Sequence, residues 1–274
     1  MTRPLYTQWF KKSTDNLQTA DGRDIEIWEF NHIDDADILS DWAKHFRNHY
    51  CSDTKIDRFR SGTGLSRAEY LREMKFPDEK KFPGPQIRSG DFSEILLMDF
   101  FQFLQGYFVP RTRYNDKDRR NISPQGSDII ALKMNPLVVF DKEDELFIIE
   151  SKAKLTGVIS EQENTLQKAI NDSTKKEDLR IAESLAVTKE RYVNANDDVS
   201  ANIVERFQNK PDHDFIKRYG AATVLTDTAY IKDVLQKTDA SNYSSDDKVS
   251  LYVFHGKKMM DLVSLLYKKA ADEA

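Results

Sequence analysis

An α/β fold, with a mixed central sheet flanked by helices, is predicted from three observations. Segments of helical and of strand-like apolar pattern follow one another in the order helix, strands, helix, strand. The 274 residues, 39% hydrophobic and 32% charged, can bury a sizeable core and are not of disordered composition. A connector over 76–85 carries Pro77, Pro83 and Pro85 beside Gly84, which divides an N-terminal α+β elaboration, residues 1–85, from the main domain, residues 86–274.

In the elaboration, 24–30 alternates charged and apolar side chains, with Ile25, Ile27 and Phe30 inward, and reads as a half-buried strand. Over 34–50 the period lengthens. Ile38, Leu39, Trp42, Phe46 and His49 fall at helical spacing, and Asp34, Asp35 and Asp37 crowd the first turn, where the helix dipole favours anions. Between Asp21 and Asp41 eight acids meet one base, Arg23, so this face suits a basic partner better than a phosphate backbone. Ser66 followed by Glu69 reads as a capping box opening a short helix over 66–74.

The main domain opens with the strongest helix, expected over 91–105, apolar nearly all round and ended by Gly106. Burial would trap Glu94 in its middle. A strand is expected over 107–114, leading into a basic loop with Arg111, Arg113, Lys117, Arg119 and Arg120. Strands follow at 128–132, at 137–140 and, after a polar turn, at 146–150. The region 160–187 is helical, broken at 171–174; a helical stretch at 201–208, buried strands at 221–226 and 251–254, and an amphipathic helix over 257–271 complete the chain.

Composition excludes several classes. The single cysteine, Cys51, rules out an internal disulfide and makes a reducing, cytoplasmic setting the default. No apolar run approaches the roughly 20 residues that span a bilayer, and 1–12 lacks a signal-peptide core. A net charge of −5 argues against avid coating of nucleic acid, so basic residues are focused in a groove or DNA is not the ligand. There is no P-loop and no Gly-x-Ser-x-Gly elbow. His45 and His49 stand four apart near Cys51, but the glutamate of a zinc-protease helix is missing, which favours a packing or surface role over zinc.

The chemistry concentrates elsewhere. Acid-x-Lys is cheap in so charged a chain, yet only Glu150-Ser151-Lys152 closes an apolar strand, where side chains two apart share a face and are held rigidly at the sheet rim. A solvated strand end is the plain alternative. Asp128, after Gly126 and Ser127, reads equally as a turn aspartate bonding its own backbone. A simple hairpin turning near 143 would pair Asp128 with about residue 157, so the break at Met134-Asn135-Pro136 must absorb the difference for Asp128 to meet Glu150. Taken alone, Glu94 reads as the reciprocal partner of an Asp91 cap. Taken together, three carboxylates and one ammonium form a set that needs cations to coexist.

Helix Glu94, then Asp128, then Glu150-Ser151-Lys152, in α-β-β-β-α-β order, resembles the PD-(D/E)XK nuclease superfamily. Gly90-Asp91-Phe92-Ser93-Glu94, Gly126-Ser127-Asp128 and the run 147–152 narrow the resemblance, over residues 86–270, to the HamA nucleases of the Hachiman anti-phage defence system. Ser127 stands where the nominal motif has proline. The resemblance implies a restriction-endonuclease-like core and a DNase of little sequence preference, restrained by a helicase partner, HamB. It implies Asp128 and Glu150, with the Ser151 carbonyl, as ligands of Mg2+ or Mn2+, Glu94 steadying a second ion or a bound water, and Lys152 positioning or deprotonating the attacking water. Arg111, Arg113, Lys117, Arg119 and Arg120 would grip DNA phosphates, and Gln167 would reach the metal pocket from the following helix. The competing reading is a nuclease-like scaffold that binds DNA or a protein without cutting.

Overall fold

Among the described residues a seven-stranded mixed sheet runs through the molecule. The computed structural model describes residues 2–115, 117, 119–135, 140–175, 178–208 and 213–274. In chain order the elements are β1 (Phe10–Lys12), β2 (Leu17–Gln18), β3 (Asp24–Phe30), α1 (Ala36–Tyr50), α2 (Ile56–Arg60), α3 (Arg67–Tyr70), α4 (Gly84–Phe103), β4 (Ile129–Lys133), β5 (Glu145–Lys154), α5 (Thr165–Ser173), α6 (Asp178–Asn194), α7 (Asp198–Arg206), β6 (Ile216–Thr226), α8 (Lys232–Gln236), β7 (Lys248–Gly256) and α9 (Met259–Asp272). The central pairings β3·β7, β7·β6 and β6·β5 run parallel, while β1·β3 and β4·β5 at the flanks are antiparallel. This is the mixed sheet with covering helices that the alternation of periods predicts.

Two apolar layers sandwich the sheet. On one face α1, α4 and α9 bury Trp42, Phe92, Phe100 and Leu266 against Phe147, Ile149 and Phe254. On the other, α5 to α8 bury Leu166, Ile170, Leu185, Val204 and Leu235 against Ile148, Leu225 and Val253. Each such side chain contributes about 1.5–3 kcal/mol. Strand parity decides which residue meets which layer. Along β5 the odd positions Phe147 and Ile149 face the α4 side, and the even positions Leu146 and Ile148 face the α5 side, so Glu150 and Lys152 continue the α5 side.

The connector region behaves differently from a break. Helix α4 begins at Gly84, within it, because Pro83 caps the helix and Pro85 falls in the first turn, where a missing N–H costs nothing. Residues on both sides of position 85 share one sheet and one apolar cluster, as Phe30 and Trp42 pack with Phe92 and Phe254. Asp91 therefore lies inside α4 and caps nothing; the capping-box reading of Glu94 is replaced by a buried position in mid-helix. The capping box at Ser66 and Glu69 does form, and α3 runs straight on into a π-helical turn over Leu71–Lys75, so the helix expected over 66–74 is present. The expected strand over 107–114 reduces to a single bridge, Phe108 with Leu132. Of the strand expected at 137–140, Leu137, Val138 and Val139 lie outside the described residues, as does Pro136. No helix among the described residues is long and apolar enough to cross a membrane.

Candidate active site

The β4·β5 register resolves the pairing of the two strand acids. Ile129 stands opposite Ile149 and Lys133 opposite Glu145, which brings Asp128, one residue before β4, opposite Glu150. The two strands are joined by a connection from 134 to 144, longer than the tight turn near 143 that the polar residues suggest. Asp128 accepts a hydrogen bond from the Ser151 backbone N–H at 3.0 Å, fixing it beside β5, which runs on to Lys154 rather than closing at Glu150-Ser151-Lys152 as its apolar run predicts. Glu150 is buried, and burial pushes its carboxyl up, with the charge of Asp128 and a hydrogen bond to it pushing further; Arg180 and Lys152 pull the other way.

Glu94 reaches this pair through an intermediary. Arg113 donates from Nε to Glu94 Oε2 at 2.8 Å and from Nη2 to Asp128 Oδ1 at 3.2 Å, while Nη1 is held by the Gln125 and Ser127 carbonyls. The Tyr114 hydroxyl also donates to Glu94. Burial raises the Glu94 carboxyl to about 7 against the pull of Arg113, and Asp128 and Asp91 add to the rise. Lys152 lies on the same face as Glu150, its Nζ 2.8 Å from Asp172 Oδ2 at the end of α5. Partial burial disfavours its ammonium, but the hydrogen bond to Asp172 and the charges of Asp128, Asp172 and Glu150 outweigh this and hold its pKa above the ordinary lysine value.

The basic loop has a different use from the one its composition suggests. Helix α4 buries three acids, and the loop answers each with a cation in antiparallel order: Asp91 with Lys117, Glu94 with Arg113, Asp99 with Arg111. Arg120 is spent on Asp78 and the carbonyls of Arg72 and Phe76, which leaves Arg119 as the exposed member of the five. Four of the expected phosphate-binding side chains thus have internal partners, three of them because buried carboxylates on a helix apolar all round require cations. Gln167 is placed away from the acids, exchanging hydrogen bonds with the backbone of Asp239 and with Asn171. From that helix it is Asp172 that reaches the site.

A second cluster lies behind α4. His45, His49 and Asp99 bring ligand atoms within 4.8 Å of one another, closer than Glu94, Asp128 and Glu150 come as a trio among the described residues. Arg111 sits in its centre, with Nη1 2.7 Å from His49 Nε2 and a contact of 2.5 Å to Asp99. Its Nε bonds Gln102 and its plane covers Phe103, so this cluster already contains a firmly anchored cation. Burial and the Arg111 charge keep His49 neutral, its pKa well below the ordinary value. Of the two histidines His49 is buried and His45 partly so, both packed against α4 and Arg111.

Two groups at the rim had no distinguishing sequence signal. Arg180, on α6, donates from Nη2 to the Gly126 carbonyl at 2.7 Å and lies 3.1 Å from Glu150 Oε1. One turn on, Ser184 Oγ accepts from the Ser127 N–H at 3.1 Å. Gly126 adopts φ +95°, and a Cβ there would come 2.8 Å from Ser184 Oγ, so the close approach of loop and helix requires glycine.

The acid set is oxygen-only, and two of its carboxyls are raised by burial and mutual repulsion, which is the environment that a hard divalent cation relieves. The donors fit Mg2+ or Mn2+ and not a thiolate- or imidazole-seeking ion. A mixed sheet with Asp128 just before β4, Glu150 and Lys152 on one face of β5, and a glutamate on the preceding helix is consistent with a nuclease-like α/β core. The chain belongs to the HamA family, whose sequence model matches residues 4–270, and that membership gives it a role in Hachiman defence. No curated protein matches the chain.

Proposed function

We propose that the protein is a metal-dependent DNase, the effector of a Hachiman system, held in check by a helicase partner, HamB. The observation that carries the reading is the convergence of Asp128 with Glu150 and Lys152 on β5, just beyond its pairing with β4, set by the β4·β5 register. Asp128, Glu150 and the Ser151 carbonyl would hold Mg2+ or Mn2+; bound there, the ion lowers the pKa of water and offsets charge on the phosphoryl oxygens.

The chain's own residues do the rest. The Ser151 N–H orients Asp128, and Arg180 orients Glu150. Lys152, kept cationic by Asp172, donates hydrogen bonds to the attacking water and to the negative charge that grows on the phosphate; as an ammonium it orients that water and does not deprotonate it. Glu94, bridged by Arg113, supports Asp128 from the helix side.

The test is cleavage of plasmid and linear DNA by the protein, alone and with its helicase partner, in Mg2+ and in EDTA, beside Glu150→Ala and Lys152→Ala. Mg2+-dependent cutting that both variants lose by a factor on the order of 10³ is expected. Equal cutting by the variants would sink the site assignment, and no cutting under any activating condition would favour the non-cleaving scaffold.

A further inference from the structure

With Arg111, Arg113, Lys117 and Arg120 committed to internal partners, the DNA path needs another cation beside the reacting phosphate. We infer that Arg180 is that group, a substrate-positioning residue that binds a backbone phosphate next to the Asp128 and Glu150 pair; the inference rests on the nuclease reading above. Arg180 and Glu150 touch directly, and the guanidinium is 31% exposed while the carboxylate is 5% exposed, so the arginine forms the solvent edge of the site.

Its anchorage leaves donors to spare. Both contacts, to the Gly126 carbonyl and to Glu150, use Nη2, and Nε and Nη1 hydrogen-bond none of the described residues. A guanidinium fixed through one nitrogen, with two N–H groups still to satisfy, is pre-organised for the forked recognition of a phosphate. Its aim is set by α6, which also holds the Ser127 N–H through Ser184 and packs closely on Gly126. Arg111 offers the contrast. Its Nε and Nη1 are taken by Gln102 and His49, it pairs with Asp99, and it is covered by Phe103, so it has no edge to give a phosphate.

The experiment measures binding of a fluorescently labelled random-sequence DNA duplex in Ca2+ across a range of salt, for the full chain and for Arg180→Gln, Arg180→Lys and Ser184→Ala. Arg180→Gln should weaken binding about 10-fold at low salt and reduce the log–log salt slope by about 0.9, the loss of one phosphate contact. Arg180→Lys should keep the slope, and Ser184→Ala, which loosens the loop without removing charge, should keep it too. An unchanged slope, an Arg180→Gln defect reproduced by Ser184→Ala, or a wild-type chain that fails to bind DNA at low salt would overturn the assignment. The two readings separate cleanly: a slope change without any Mg2+-dependent cutting keeps the phosphate site and removes the nuclease, whereas Glu150-dependent cutting with no slope change does the reverse.

Discussion

Replacing Glu94 by glutamine should change how stability depends on pH, in a direction and by an amount that follow from its surroundings. Burial in α4 raises the carboxyl from 4.5 to about 7 even though Arg113 opposes the rise. Between those values the folded chain keeps a proton that the unfolded chain has released. Stability from this group is therefore fully present below pH 4.5 and falls as pH climbs to about 7. At about 1.4 kcal/mol per pH unit the span is worth about 3 kcal/mol. A glutamine side chain cannot titrate, so Glu94→Gln lacks that decline, while any fixed change in its contacts with Arg113 and Tyr114 is the same at both ends of the range. Urea unfolding of the two proteins at pH 5 and pH 8 measures it. The variant should gain about 2–3 kcal/mol on the wild type between the two pH values. A relative gain below about 1 kcal/mol would mean that Glu94 is not held in the desolvated setting described.

Asp172→Asn should leave the Lys152 ammonium without its closest counter-charge, so its pKa falls. The alkaline limb of the cleavage pH profile should then move to lower pH, with the loss of activity confined to the alkaline side, and an unmoved limb would show that Lys152 does not act as a cation. Arg111→Met should strand the fully buried Asp99 beside Tyr6 and His45, at a cost of roughly 3–5 kcal/mol and a melting temperature lower on the order of 10 °C.

What the sequence discloses and what it conceals divides along the range of the interactions. The strand acids and Lys152 are legible because one apolar run ends at Glu150 and parity puts Lys152 on its face. The meeting of Asp128 with Glu150 is less so, since the register is chosen by Ile129 and Ala131 packing on one face and Ile130 and Leu132 on the other, which local turn signals do not report. The start of α4 at Gly84 is hidden by prolines that read as a connector but sit where a helix tolerates them. The basic loop looks like a surface grip because its partners Asp91, Glu94 and Asp99 are far along the chain and buried in a helix. Asp172 and Arg180 occupy ordinary helical positions, and only the packing of α5 and α6 across the strand ends gives them a role.

The central claim is that Asp128 and Glu150 make one divalent-cation site, and a direct measurement of it does not depend on whether a partner restrains cutting. Calorimetric titration of the purified chain with Mn2+ should show binding near one ion per chain or above. That binding should be lost in Glu150→Gln and Asp128→Asn, with both variants still folded by circular dichroism. Binding of undiminished affinity in both variants would place the ion elsewhere and contradict the account.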